Sequence, residues 1–130
     1  MDHIDAPDLE SVPVLSHAVR VGDVLYCSGQ VPLRTDGTLI DADVGAMTRQ
    51  VVANLERVLA AAGATISDVA RTNVYLADMA DYSAMNAAYV ELFPDRPART
   101  CVQVAALPLG ARVEIDCIAV RAAGSSTPAP

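Results

Sequence analysis

One arginine and one glutamate near the end of the chain have the chemistry needed to bind and process a small carboxylate. Arg99 lies in the segment 97–102, and Glu114 lies in the apolar segment 113–115. A guanidinium stays protonated at any working pH and can donate two parallel hydrogen bonds to a carboxylate. A carboxylate side chain nearby could then accept and return protons. The interval of 114 − 99 = 15 residues predicts that the two lie on adjacent antiparallel strands.

Both residues also have a purely structural interpretation. Arg99 could form an ion pair at a protein interface, and Glu114 could be a solvated or paired carboxylate on a strand. The residue types alone leave these alternatives open.

Three cysteines, Cys27, Cys101 and Cys117, show no Cys-x-x-Cys spacing, and each lies in an apolar, strand-like segment. This pattern is typical of reduced, buried thiols. Cys101 follows Arg99 by two residues, so both side chains should lie on the same side of a strand. A guanidinium in that position would favour the thiolate of Cys101.

The composition favours one domain and argues against several classes of function. The chain has 130 residues, 52% of them hydrophobic, but no apolar run of the roughly 18 residues that a membrane helix needs. Its net charge of −7 argues against a nucleic-acid groove, because such grooves neutralise phosphates with lysine and arginine. The acidic N-terminus lacks the features of an export signal, so we expect a cytoplasmic protein. We predict one domain over residues 1–122 and a disordered tail over 123–130.

The first half of the chain predicts a hairpin followed by a helix. Residues 18–21 and 24–29 are rich in strand-forming residues and flank the turn signal Gly22-Asp23. From Val44 the apolar residues adopt helical spacing, with Asp43 placed to cap the start and Gly63 the end. The preceding N-terminal residues are predicted to be irregular.

The second half predicts a strand, a helix and two further strands. The strand at 69–77 has two faces, one with Ala70 and Thr72 and the other with Asn73 and Tyr75. A helix begins after Asp81, and strands follow near 101–106 and 112–121. The order predicts an α+β sheet with both helices on one face. The face with Asn73 and Tyr75 would then need a partner, which predicts self-association.

Several segments resemble the RidA family, also called YjgF/YER057c/UK114. The resemblance covers residues 18–120, in the family's order and spacing, and is therefore more specific than one short motif. The segments are 21–32, which ends in Ser-Gly-Gln-Val-Pro, 54–64, 86–89 with Phe93-Pro94, and 97–115. The resemblance implies a chorismate mutase-like (YjgF-like) α+β fold that forms a homotrimer, with a pocket at each subunit interface.

The resemblance also implies a function and its residues. Members hydrolyse reactive enamines and imines, such as 2-iminobutanoate and 2-iminopropanoate, to a 2-oxo acid and ammonia. Arg99 matches the carboxylate clamp, and Glu114 matches the residue that handles water and protons. Ser28 and Gly29 match the hydroxyl and backbone that line the pocket. No metal or organic cofactor is implied, and the two histidines make no ligand cluster.

Other positions match the site less closely. Asn86 and Cys101 match residues near the ligand. Archetypal members carry a tyrosine before the first strand of the motif, where this chain has Leu15, followed by Ser16 and His17. The imidazole of His17 titrates near neutrality and could replace the missing phenol if it faces the pocket. A histidine at the edge of a strand can equally be structural.

Two classes of function follow from these residues. The first is an imine or enamine deaminase. The second is a non-catalytic module that uses the same clamp to bind a small carboxylate or another protein. Cleavage of RNA, an activity long attached to the family's name, is disfavoured by the negative charge.

Overall fold

The computed structural model describes residues 1–122. The predicted disordered tail at 123–130 lies outside the described residues. Within residues 1–122 the chain forms six strands and two α-helices, joined in part by short 3-10 turns. In chain order they are β1 Asp2–Ile4, β2 Ala18–Val21, β3 Val24–Gln30, α1 Val44–Ala61, β4 Val69–Leu76, α2 Tyr82–Leu92, β5 Ala98–Gln103 and β6 Val113–Val120.

The strands form one mixed sheet in the order β1-β2-β3-β6-β4-β5. Four of the strand pairs are antiparallel, and the pair β4 and β5 is parallel. A parallel pair requires a crossover connection, and α2 provides it. The predicted α+β class is therefore confirmed.

Both helices lie on one side of the sheet, which we call the helix face. Helix α1 packs on β3 and β6, and α2 packs beside α1. The core between them consists of fully buried aliphatic side chains. They include Val51, Val52, Leu55, Val58 and Leu59 of α1, and Leu25, Val74, Leu76, Val113 and Ile115 of the sheet.

The opposite side of the sheet, which we call the open face, carries no helix from the described residues. Side chains alternate along a strand, so Asn73 and Tyr75 of β4 point away from the helices. Their partners on β6 are Asp116 and Glu114, which therefore share this face. Tyr26 of β3 also lies there and is 49% exposed. The predicted two-faced character of β4 is confirmed.

The ends of α1 follow their sequence signals. The carboxylate of Asp43 accepts a hydrogen bond from the amide of Ala46 at 2.8 Å, and so satisfies one of the free amides of the first turn. Gly63 has φ = 78°, a conformation that glycine adopts without steric cost, just past the last turn. Asp81 occupies the N-cap position of α2, but its carboxylate instead accepts two hydrogen bonds from the guanidinium of Arg112.

Two local predictions need correction. The N-terminus is not irregular throughout, because Asp2–Ile4 adds a short edge strand to β2. Ala70 is exposed whereas Val69 is buried, because the pairing of β4 with β6 shifts register between Val69 and Arg71. Such a bulge reverses the inside and outside positions at the start of a strand.

The prediction that Arg99 and Glu114 lie on adjacent antiparallel strands is wrong. Arg99 is on β5 and Glu114 is on β6, but β4 lies between them. The crossover through α2 places β5 beside β4 at the edge of the sheet. The chain then returns past β4, and β6 fills the position between β3 and β4.

In the described residues, no helix is long and apolar enough to cross a membrane.

One buried hydrogen bond joins α2 to the sheet and gives a test of this packing. The hydroxyls of Thr72 and Tyr89 lie 2.6 Å apart, and both residues are buried. Thr72→Val should lower the free energy of unfolding by about 1–3 kcal/mol, because it leaves the Tyr89 hydroxyl without this partner. In the double variant Thr72→Val/Tyr89→Phe both hydroxyls are absent, so the loss should be smaller than the sum of the single losses. Urea unfolding of the unsubstituted protein, Thr72→Val, Tyr89→Phe and the double variant measures this coupling. Losses of stability that simply add would contradict it.

Candidate functional site

Arg99 is held over an aromatic surface on the helix face. Its Nη1 donates to Oδ1 of Asn86 at 2.7 Å, and its Nη2 donates to the hydroxyl of Tyr82 at 3.3 Å. The guanidinium carbon lies 4.7 Å from the centre of the Tyr89 ring and 5.6 Å from that of Tyr82. The attraction between a cation and a ring face stabilises this position. Among residues 1–122, no carboxylate forms an ion pair with Arg99.

A pocket of about 320 Å³ opens beside this guanidinium. It lies between the end of α2 and the start of β5. Its lining residues are Asn86, Tyr89, Val90, Phe93, Arg96, Pro97 and Arg99. The structure therefore brings the predicted residues Arg99 and Asn86 together at one cavity, with a cation that is free to bind an anion.

Glu114 lies on the open face of β6 and has an unusual electrostatic environment. Partial burial raises the pKa of its carboxyl, and the negative charge of Asp116 raises it further. Asp116 itself accepts hydrogen bonds from Nδ2 of Asn73 at 2.8 Å and from the hydroxyl of Tyr75 at 2.9 Å. No comparable donor within residues 1–122 holds the Glu114 carboxylate. It is therefore the less stabilised of two neighbouring acids, and suited to exchange protons.

Ser28 and Gly29 lie next to Glu114. A Cβ on Gly29 would lie 2.9 Å from Cδ of Glu114, so only glycine allows this carboxyl to rest on the β3 backbone. The hydroxyl of Ser28 donates to the carbonyl of Ser16 at 2.7 Å. Three of the predicted residues, Ser28, Gly29 and Glu114, are thus close together on β3 and β6.

Arg99 and Glu114 lie on opposite faces of the sheet. Residues that pair across neighbouring strands share a face. Arg99 pairs with Thr72, whose side chain bonds to α2, whereas Glu114 pairs with Tyr75 on the open face. One chain therefore builds two partial sites, one with Arg99 and Asn86 and the other with Glu114, Ser28 and Gly29.

Two opposing effects act on the pKa of the Cys101 thiol. It lies on the same face as Arg99, as expected, but burial raises its pKa, and the guanidinium offsets only part of this effect. The guanidinium thus acts in the predicted direction, but burial has the larger effect on the pKa of this thiol. Cys27 and Cys117 are buried, reduced partners on β3 and β6, which confirms their assignment to the core.

Both ring nitrogens of His17 form hydrogen bonds to backbone groups of the N-terminal segment. Its Nδ1 accepts from the amide of Ala6 at 2.9 Å, and its Nε2 lies 2.9 Å from the carbonyl of Glu10, to which it donates. The residue is 4% exposed. Both ring nitrogens are therefore engaged, and the ring fastens the N-terminal segment to β2. Leu15 is 45% exposed and follows this segment.

Sequence reasoning missed Tyr82, Tyr89 and Arg96. The two tyrosines and Asn86 occur at positions i, i+4 and i+7 of α2, a spacing that places them on one face. This spacing indicates that the two tyrosines lie beside Asn86, so the sequence did contain a signal for them. Arg96 has φ = 56°, and no local pattern indicates that it lines the same pocket as Arg99.

In the described residues, histidine, cysteine, aspartate and glutamate form no cluster that could hold a metal ion.

A protein-family model described as Endoribonuclease L-PSP matches residues 6–121. The chain belongs to this family. Protein mmf1, mitochondrial, of Schizosaccharomyces pombe is 42% identical over 121 residues, which are 90% of this chain and 74% of that protein. An Escherichia coli protein named 2-iminobutanoate/2-iminopropanoate deaminase is 37% identical over 107 residues, which are 79% of this chain and 84% of that protein.

The present protein has the same fold as E. coli TdcF, whose crystal structure was determined with bound serine. Its TM-score is 0.87 at 30% identity, over 94% of this chain and 100% of that chain. These relatives confirm the resemblance to RidA and the fold of a mixed sheet with two helices. Because mmf1 is described as mitochondrial, the cytoplasmic location stays a prediction.

The raised pKa of Glu114 predicts how stability depends on pH. The folded state disfavours the ionised carboxyl, so stability falls as pH rises from the ordinary glutamate pKa of about 4.3 through the raised value. Glu114→Gln removes this dependence. The variant should therefore gain stability relative to the unsubstituted protein as pH increases over that range.

Urea unfolding at a series of pH values and one protein concentration measures the difference. The control is Glu91→Gln, since Glu91 is exposed on α2. Parallel stability curves for Glu114→Gln and the unsubstituted protein would contradict the predicted electrostatics.

Proposed function

We propose that this protein hydrolyses small imines or enamines of 2-oxo acids, releasing a 2-oxo acid and ammonia. The observation that supports this proposal is the guanidinium of Arg99, which is positioned by Asn86 and Tyr89 beside a pocket and has no carboxylate partner in the described residues. The relative named 2-iminobutanoate/2-iminopropanoate deaminase supports the substrate class. The substrate carboxylate would accept two hydrogen bonds from Arg99.

Glu114 has the properties needed for the proton transfers. A carboxylate takes a proton from water as the water oxygen bonds to the imine carbon. It returns this proton to the nitrogen, which gives a carbinolamine. The carboxylate then takes the proton of the new hydroxyl and passes it to the amine nitrogen as the carbon–nitrogen bond breaks, so ammonia leaves and the carbon–oxygen bond becomes a carbonyl. Burial and the charge of Asp116 raise the pKa of this carboxyl, and a raised pKa makes a carboxylate a stronger base for the first transfer. The Ser28 hydroxyl and the backbone at Gly29 would line this part of the site, and Cys101 would lie beside Arg99.

The site requires two copies of the chain, because Arg99 and Glu114 lie on opposite faces of one sheet. We propose a homotrimer in which the Arg99 pocket of one protomer meets the Glu114 region of the next. The open face favours such contact, since it exposes apolar side chains that a second copy would cover. They are Tyr26, Val102 and Val120, each at least 40% exposed.

A second candidate is a non-catalytic module that binds a 2-oxo acid. Leu15 supplies no hydroxyl at its position, and the ring nitrogens of His17 are engaged by Ala6 and Glu10. Neither residue can replace a phenol as a proton donor. Binding of 2-oxobutanoate without acceleration of imine hydrolysis would favour this candidate.

Substitution of Arg99 or of Glu114 should strongly reduce the proposed activity. The assay measures ammonia release after a dehydratase generates 2-iminobutanoate. Arg99→Ala should lower kcat/KM by about 100-fold or more, because two charge-assisted hydrogen bonds are lost. Glu114→Gln should lower kcat by roughly 10²–10⁴-fold, the usual contribution of a general base. The control for Arg99→Ala is Arg34→Ala, which removes the same charge from an exposed arginine in a turn. No acceleration by the unsubstituted protein would reject the activity for this substrate.

Mixed trimers test whether two protomers share one site. Arg99→Ala and Glu114→Gln subunits are unfolded together, mixed in equal amounts and refolded. Random assembly should restore about one quarter of the activity, because a site is intact only when one protomer supplies Arg99 and its neighbour supplies Glu114. Sedimentation analysis should show a trimer. A monomer, or no recovery from well-folded mixed trimers, would contradict the shared site.

A further inference from the structure

Two arginines, rather than one, line the pocket beside α2. Arg96 and Arg99 both contribute to its wall, and no acidic residue in the described part of the chain does. The remaining wall consists mainly of the apolar surfaces of Tyr89, Val90 and Phe93. The chain has nine arginine and lysine residues and a net charge of −7, so two arginines in the wall of one apolar cavity are a local exception to its negative charge.

The backbone at Arg96 is held in a conformation that disfavours arginine. Its φ is 56°, in the left-handed region that costs a side chain other than glycine about 1–2 kcal/mol. The amide of Arg96 donates to the carbonyl of Phe93 at 3.2 Å, and Pro97 follows directly. Strained residues of this kind persist where the surroundings fix them, and they are common at ligand sites.

The guanidinium of Arg96 forms no hydrogen bond or ion pair within residues 1–122, and the residue is exposed. It is therefore free to bind an anion. Three extended residues span at most about 10 Å, so Arg96 and Arg99 can reach the two ends of a short diacid.

We propose that the substrate is the imine or enamine of a dicarboxylic 2-oxo acid. This inference rests on the proposed function and extends it. Arg99 binds the carboxylate next to the imine carbon, and Arg96 binds the distal carboxylate. The methylene groups between them lie against Tyr89, Val90 and Phe93. Two guanidiniums balance two carboxylates, which favours entry of a dianion into a protein that is otherwise negatively charged.

The reaction is the same as for a monocarboxylic imine. Water adds to the imine carbon, ammonia leaves, and the distal carboxylate is unchanged. Its role is binding, so Arg96 determines selectivity between substrates rather than the chemical step.

Binding of stable products tests the proposal without turnover. Calorimetry compares 2-oxoglutarate with 2-oxobutanoate at one ionic strength. The unsubstituted protein should bind 2-oxoglutarate about tenfold more tightly, the effect of one additional charge-assisted hydrogen bond. Arg96→Asn should reduce this ratio to near one. Asparagine tolerates the left-handed conformation, so the variant should fold, which circular dichroism and urea unfolding verify.

The matched control is Arg34→Asn, which removes the same charge from an exposed turn and should keep the tenfold ratio. Equal binding of the two acids by the unsubstituted protein would overturn the proposal. So would an Arg96→Asn variant that binds both acids more weakly by the same factor.

A turnover experiment separates this inference from the proposed function. Amino-acid oxidases generate the imines of glutamate and of alanine, and ammonia release is followed with and without the protein. Acceleration for both imines with no preference for the dicarboxylic one would overturn the inference and leave the proposed function intact. Arg96-dependent binding of 2-oxoglutarate without acceleration of either imine would support dianion recognition and overturn the proposed function.

Discussion

The candidate site depends on one cation, Arg99, which is held in place by neutral groups. The guanidinium lies on the face of Tyr89 and donates to Asn86, and neither contact neutralises its charge. These contacts replace part of the water that a partly buried cation loses. A carboxylate partner from the same chain would compete with any anionic ligand. Neutral partners instead fix the geometry and leave the charge available.

The position of Arg99 follows from how α2 meets the sheet. The bond between the Thr72 and Tyr89 hydroxyls fixes the ring relative to β4. Parallel pairing then places Arg99 opposite Thr72, so one pair of strands sets both the ring and the cation above it. The same sheet places Glu114 on its other face. There, Asp116 takes the hydrogen bonds of Asn73 and Tyr75, and Glu114 keeps the raised pKa. Of these two neighbouring carboxylates, Asp116 thus has two hydrogen-bond donors and Glu114 has none within residues 1–122.

Local patterns predicted the elements well but could not predict how the strands are arranged. The helical spacing and caps of α1, the Gly22-Asp23 hairpin and the two faces of β4 are properties of short segments, so the sequence contains them directly. The place of β6 between β3 and β4 depends on contacts between segments distant in the chain. A sequence interval therefore could not show that Arg99 and Glu114 are separated. Arg96 was missed for a related reason, because its left-handed backbone depends on how the chain turns after α2, where its amide donates to the carbonyl of Phe93.

His17 shows how a residue type that is suited to catalysis can be committed to structure. Its Nδ1 accepts from Ala6 and its Nε2 donates to Glu10, a pattern that only the neutral ring with a proton on Nε2 satisfies. The amide of Ser28 also donates to the carbonyl of His17, so the backbone next to Leu15 is held from both sides. The backbone position of Leu15 is therefore fixed by its neighbours. The type of its side chain determines only whether the surface at this position is polar or apolar. A leucine presents an apolar surface, so the hydrogen bonds and proton transfers of the proposed site depend on Arg99, Glu114 and Arg96.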